Sequence, residues 1–178
     1  DFNGAISDYT KAIEINPNLA DAYLNRGISK NNLKDHYGAI SDYTKAIEIN
    51  PNLAYAYYKR AWSKDDLKDY NGAISDYTKA IEINPKDDKN YYNRGILKNY
   101  LTDFNGAISD YTKAIEINPN DTDAYINPNY AEWGADTYSN RGLAKAKLGD
   151  LNGACADMKK AVSLGDETYV KWVAGNCN

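Results

Sequence analysis

Three kinds of side chain in this sequence could carry chemistry: one histidine, two cysteines and several close-set acids. A histidine such as His36 could serve acid–base work or metal ligation. It stands, however, where Phe2, Tyr70 and Phe104 stand in otherwise matching stretches, so it is read as a loop-packing residue. The acidic pairs Asp65-Asp66 and Asp87-Asp88 fall near helix ends and are read as solvated. The stretch DTDAYINPNYAE, from Asp121 to Glu132, has acids at a spacing faintly like a calcium loop. It lacks the central glycine and a third early oxygen ligand that calcium needs. No GxGxxG, Walker loop, HExxH or CxxC is present. The expectation is therefore a protein that is not an enzyme, with no catalytic, cofactor-binding or metal residues.

The cysteines carry more information. Cys155 and Cys177 are symmetric about residue 166, where Leu164-Gly165-Asp166 should turn the chain. Two antiparallel helices folded at that point bring both cysteines to one level, because each residue of a helix rises about 1.5 Å. A Cys155–Cys177 disulfide would stabilise by about 3 kcal/mol in the chain-entropy model. The alternative is a pair of buried free thiols in a reducing compartment. The disulfide would favour an extracytoplasmic location, periplasmic or secreted, over a cytoplasmic one.

The elements that would position these residues follow from repetition. The stretch GAISDYTKAIEINP begins at Gly4 and returns unchanged at Gly38, Gly72 and Gly106, each copy 34 residues after the last. A unit copied at fixed period stacks on its neighbours rather than forming one constellation. Within it Ala5, Ile6, Tyr9, Ala12 and Ile13 follow the spacing of an amphipathic helix with one buried stripe. Asp8, Lys11 and Glu14 fall on the opposite, solvated side. Asn16-Pro17 ends the helix, since proline disfavours helical geometry in the residue before it. The intervening segments, such as ADAYLNRGISKNNLKD from Ala20, read as a second helix. Gly27, Ala61, Gly95 and Gly142 recur at one place in it and would admit a close approach by Ala39, Ala73, Ala107 and Ala154. Arg26, Arg60, Arg94 and Arg141 also recur. They would either pair with the Asp series (Asp8, Asp42, Asp76, Asp110) of a stacked helix or lay their stems over apolar surface.

These residues resemble the tetratricopeptide repeat, a 34-residue helical hairpin. The match is an aromatic (Tyr23, Tyr57, Tyr91, Tyr138), Gly or Ala four residues later, then Ala39, Tyr43, Ala46 and Pro51 and their equivalents. Departures are Arg at the family's Leu position and Lys (Lys30, Lys64, Lys98, Lys145) at its first-helix Tyr. The resemblance implies an all-α fold, a right-handed superhelical solenoid of stacked hairpins in one continuous domain. The array reads as a half repeat at 1–19, repeats at 20–53, 54–87 and 88–121, an insertion at 122–134 and a degenerate repeat at 135–168. A capping helix at 166–178 would start at Asp166 and turn Tyr169, Val170, Trp172 and Val173 inward. In the insertion, Asn127-Pro128 looks like a helix start, with Tyr130 and Trp133 as anchors.

The copies differ in the first helix of each hairpin, which in this family lines a groove where partner peptides lie. The groove residues are Leu24, Asn25 and Ile28, then Tyr55, Tyr58, Lys59 and Trp62, then Lys89, Tyr92, Asn93 and Ile96. Tyr55, Tyr58, Trp62 and Tyr92, flanked by Asn and Lys, have the composition of a binding hot spot. The bland reading is that Tyr58 and Trp62 pack between repeats. Some family members hold acidic tails with a lysine–asparagine clamp; its lysine falls here on Leu24, Tyr58 or Tyr92 and its asparagine on Ile28, Trp62 or Ile96. That clamp is absent.

The function implied is a non-catalytic scaffold or adaptor binding a protein or peptide, either an extended segment or an amphipathic helix. The alternatives are a self-assembly module, stacking end to end through an uncapped N-terminus, or an accessory domain of a larger protein. A net charge of −4 argues against a nucleic-acid partner, and no apolar run is long enough for membrane insertion. The 17 tyrosines and four arginines suggest an AT-rich, bacterial coding sequence, and the start within a repeat suggests that the natural protein continues upstream.

Overall fold

A computed structural model of the chain describes residues 1–119 and 137–177. These fold into two compact units, Asp1–Pro85 and Lys86–Asn178. The first contains α1 (Phe2–Ile15), α2 (Ala20–Asn32), α3 (His36–Ile49), α4 (Ala54–Asp66) and α5 (Tyr70–Ile83). The second contains α6 (Asp88–Tyr100), α7 (Phe104–Ile117), α8 (Thr137–Lys147), α9 (Leu151–Ser163), a 3-10 turn (Glu167–Tyr169) and α10 (Val170–Asn176). The protein is all-α, and α2–α3, α4–α5, α6–α7 and α8–α9 pack as helical hairpins. The helix start at Asn127-Pro128, its anchors Tyr130 and Trp133, and the calcium-like stretch lie outside the described residues.

Each hairpin turn has the same construction. Lys34, Lys68 and Thr102 adopt φ of 64°, 63° and 64°, the left-handed geometry that ends a helix, and Gly149 takes that role in the last hairpin. One residue later an aspartate caps the second helix: Asp35, Asp69, Asp103 and Asp150 accept from the backbone N–H of Gly38, Gly72, Gly106 and Gly153 at 2.8–3.0 Å. The cap carboxylate lies so close to Gly38 that any β-carbon there would collide with it. Gly38, Gly72, Gly106 and Gly153 are thus tied to their caps.

Packing within the hairpins is equally regular. A β-carbon at Gly27 would meet the Tyr43 ring at 2.7 Å and the Ala39 carbonyl at 3.2 Å. The close approach expected from the sequence is therefore present, with an aromatic ring as its main beneficiary. Tyr43, Ala39 and Ala46 are wholly buried, as are Tyr111 and Ala107 in α7. Burial pushes the phenols of Tyr43 and Tyr111 well above the usual tyrosine value, so both stay neutral. Among the described residues neither hydroxyl has a hydrogen-bond partner. Ser63 lies close to Tyr43, but its Oγ donates to Asn31 Oδ1 at 2.8 Å instead.

The recurrent arginines do both things the sequence allowed. Arg26 donates from Nε and Nη2 to the two carboxylate oxygens of Asp42, at 2.9 and 2.7 Å, and lies 5.5 Å from the Tyr23 ring. Lys30 Nζ reaches the same carboxylate at 2.8 Å. Arg60 and Lys64 repeat this on Asp76, Arg94 and Lys98 on Asp110, and Arg141 and Lys145 on Asp157. Arg Nη1 also donates back to a threonine of the preceding second helix, Thr10 from Arg26 and Thr44 from Arg60, at 3.1 and 3.0 Å. The partner is the aspartate 16 residues on, within the same hairpin. The solvated placing holds for Asp8 but not for its equivalents in the later copies. Asp8 is 80% exposed and meets only Lys11 at 3.9 Å, whereas the Asp42, Asp76, Asp110 and Asp157 side chains are 5% exposed. The Arg and Lys that depart from the repeat pattern are the two halves of one cationic clasp.

At the C-terminal end Cys155 and Cys177 form a disulfide with Cα atoms 5.4 Å apart. Asp166 caps the 3-10 turn, accepting from Thr168 N at 3.1 Å. Tyr169, Trp172 and Val173 are half-buried, but Val170 is 47% exposed and does not join the inward face expected of it. The helix begins only at Val170, and the 3-10 turn before it changes the angular spacing on which that expectation rested.

Candidate protein-binding face

The second helices α1, α3, α5 and α7 repeat one sequence from their glycine onward, whereas the first helices differ from copy to copy. In the first unit these are α2 and α4, which lie against each other. Along α4 the residues at i, i+3 and i+7 are Tyr55, Tyr58 and Trp62, which places three rings on one side of the helix. Tyr55 and Tyr58 are stacked with centroids 5.9 Å apart, and Trp62 meets Tyr58 edge-on at 5.9 Å. Tyr58 also contacts Tyr77 of α5 at 5.9 Å. Tyr58 is only 7% exposed and anchors the cluster, whereas Tyr55 is 51% exposed and Trp62 half-buried. Lys59 crosses all three rings, its ammonium 5.1, 5.5 and 5.4 Å from the centroids of Tyr55, Tyr58 and Trp62.

The other groove positions divide by accessibility. On α2, Leu24 is buried, Ile28 is half-buried, and Asn25 turns its amide onto the Asp21 carbonyl at 2.8 Å. In the second unit, Tyr92, Asn93 and Ile96 are buried and Lys89 is exposed. Tyr92 packs on Tyr111 with centroids 6.0 Å apart, and its hydroxyl accepts from Asn140 Nδ2 at 3.1 Å. Asn93 Nδ2 donates to the Lys89 carbonyl at 2.8 Å. Packing thus claims Leu24, Tyr58, Tyr92, Asn93 and Ile96. The open side chains in the first unit are Asn25, Ile28, Tyr55, Lys59 and Trp62.

The residues considered for chemistry have local partners. His36 Nδ1 lies 2.9 Å from Asn31 Oδ1 and 3.5 Å from the Asp66 carboxylate, so the ring bridges neighbouring first helices at the hairpin turn. Asp65 is buried and Asp66 faces His36, contrary to the solvated pair expected. The reason is that the C-terminal end of α4 lies under the adjacent turn. Asp87 caps α6 through Lys89 N at 3.2 Å, and Asp88 accepts from Asn118 at 3.4 Å. Among the described residues no group of His, Cys, Asp and Glu is arranged to hold a metal ion, and no helix is long and apolar enough to cross a membrane.

Hairpins of this length, period and packing define a class, the helical-repeat proteins of the tetratricopeptide type. The chain belongs to the tetratricopeptide repeat family: profiles of that description match residues 20–53, 54–87, 88–121 and 135–164, and a further TPR profile matches 1–30. A comparison with curated proteins returns no match. Among solved structures, a crystal structure of MamA is 25% identical with a TM-score of 0.82, covering 94% of this chain and 91% of that one. A second MamA structure is 26% identical, TM-score 0.80, covering 97% and 86%. YrrB, described as a TPR protein with an unusual peptide-binding site, is 22% identical with a TM-score of 0.61, covering 94% and 97%, and shares the fold alone.

Proposed function

We propose that the chain is a non-catalytic protein-interaction module that binds a peptide or helix on the first-helix face of its first unit. Tyr55, Lys59 and Trp62 are the main contacts, and Ile28 and Asn25 extend the surface onto α2. The observation that carries this reading is the three-ring cluster on α4, at positions where the first helices differ in sequence. Rigid aromatics lose little entropy on binding and bury large areas, which is why they dominate interface energies. Tyr58 supports the first unit's surface from beneath; on the second unit Lys89 offers a corresponding contact beside the buried Tyr92 and Ile96. The Cys155–Cys177 bond fits a protein that works in an oxidising compartment, where such bonds persist.

A display library of random peptides, panned on the whole chain, supplies the test ligand. Titrated by calorimetry, a selected peptide is expected to bind Trp62→Ala about 30-fold more weakly than the parent, a loss of ~2 kcal/mol. Equal affinity, with the helical circular dichroism spectrum retained, would remove Trp62 from the binding surface.

A further inference from the structure

We infer that Lys59 is an anion-recognition point, so that the first unit's face selects a peptide segment in which an acidic side chain sits beside an apolar one. This rests on the interaction reading above and names its ligand. The starting observation is an imbalance among lysines. The other lysines in helices of the first unit each meet a carboxylate. Lys11 meets Asp8, Lys30 meets Asp42, Lys45 meets Glu48, Lys64 meets Asp76 and Lys79 meets Glu82. Lys59 meets none among the described residues and is held by rings alone.

The equivalent positions sharpen the point. Asn25 and Asn93 occupy the place of Lys59 in their own helices, and both fold their amides back onto the carbonyl four residues earlier. Only α4 combines a cation there with rings at all three surrounding positions. On α2 the corresponding residues are Asp21, Leu24 and Ile28, and on α6 they are Lys89, Tyr92 and Ile96. The acids facing the same side, Asp21 on α2 and Asp65 on α4, form no ion pair with Lys59.

Physical chemistry then selects the ligand. A cation over an exposed aromatic face gains little, so the ammonium keeps its capacity for an anion. Exposed ion pairs are usually weak because a long flexible side chain must be immobilised to make them. Here three rings already restrict the chain, so a carboxylate arriving at Lys59 finds its donor in place. A cationic ligand, by contrast, would have to displace Lys59 from the rings against like charge. The exposed ring of Tyr55 and the half-buried Trp62 beside the ammonium supply the apolar contact. Since the chain carries a net charge of −4, its overall field does not attract acidic partners. The preference is therefore local, carried by one side chain.

The test uses the full chain and three fluorescein-labelled twelve-residue peptides of alternating pattern: Asp with Leu, Asn with Leu, and Lys with Leu. Fluorescence anisotropy gives the dissociation constants. The Asp peptide is expected to bind about fivefold tighter than the Asn peptide, the upper end for an exposed pair. Lys59→Gln should erase that difference, so that the two peptides bind the variant equally, while Trp62→Ala weakens both. Equal binding of the Asp and Asn peptides, or a preference that survives Lys59→Gln, overturns the inference. Trp62-dependent binding of the Asn peptide in that case leaves the interaction reading standing. A preference for the Lys peptide overturns it in favour of a cation-binding ring cluster, and no binding by any of the three also counts against it.

Discussion

Replacing Asp76 by Asn is expected to destabilise the chain by about 3–5 kcal/mol, because it strands two nearly buried cations. Arg60 Nη2 and Lys64 Nζ both lie 2.7 Å from the Asp76 carboxylate, and the three side chains are 15%, 20% and 5% exposed. Asparagine has nearly the same shape, so the loss is one of charge rather than volume. It also disturbs the seam between hairpins, since Arg60 Nη1 donates to Thr44 at 3.0 Å from the same guanidinium. The control is Glu82→Gln, which breaks the Lys79–Glu82 pair at 2.6 Å with both side chains 55% exposed. Such a pair contributes under about 1 kcal/mol, so the control should unfold almost with the parent. Urea denaturation followed by circular dichroism measures both. A loss below about 1 kcal/mol for Asp76→Asn would mean that the clasp is incidental to the fold.

Tyr43 gives a second large effect with an internal contrast. Truncation to Ala removes a wholly buried ring that fills the space under Gly27, at an expected cost of about 3–5 kcal/mol. The neighbouring Ala39 and Ala46 are too small to collapse into the gap, which favours the upper part of that range. Tyr43→Phe keeps the ring and removes a buried hydroxyl that has no partner. It should be neutral or stabilising by up to about 1 kcal/mol. If Phe proved as damaging as Ala, the hydroxyl would have to make a bond that the geometry does not contain.

The hairpins were legible because four identical copies leave the helical stripe and its stop at Asn-Pro in no doubt. The family pattern then supplied the pairing of each helix with the next. The cap was also present as a signal, an aspartate three residues before each repeated glycine, but a search centred on the copied stretch begins just after it. Asp42 and its equivalents were misplaced for a different reason. A hydrophobic stripe assigns charges to water, and it could not decide between that and the arginine pairing the sequence also allowed. The Arg-to-Asp spacing of 16 residues, constant across all hairpins, was the available clue. On the binding face, sequence identified the variable helix but could not separate open from covered positions. Whether Tyr58 or Trp62 faces water depends on where Tyr77 of the next helix sits, which is a property of packing.

The central claim is that the first-helix face, rather than the repeated second helices, carries recognition. Hydrogen–deuterium exchange of the whole chain, with and without a display-selected peptide, tests it most directly. Bound peptide is expected to slow exchange in residues 54–66, with a smaller effect in 20–32. Protection confined to residues 36–49 and 70–83, or to 151–177, would contradict the account.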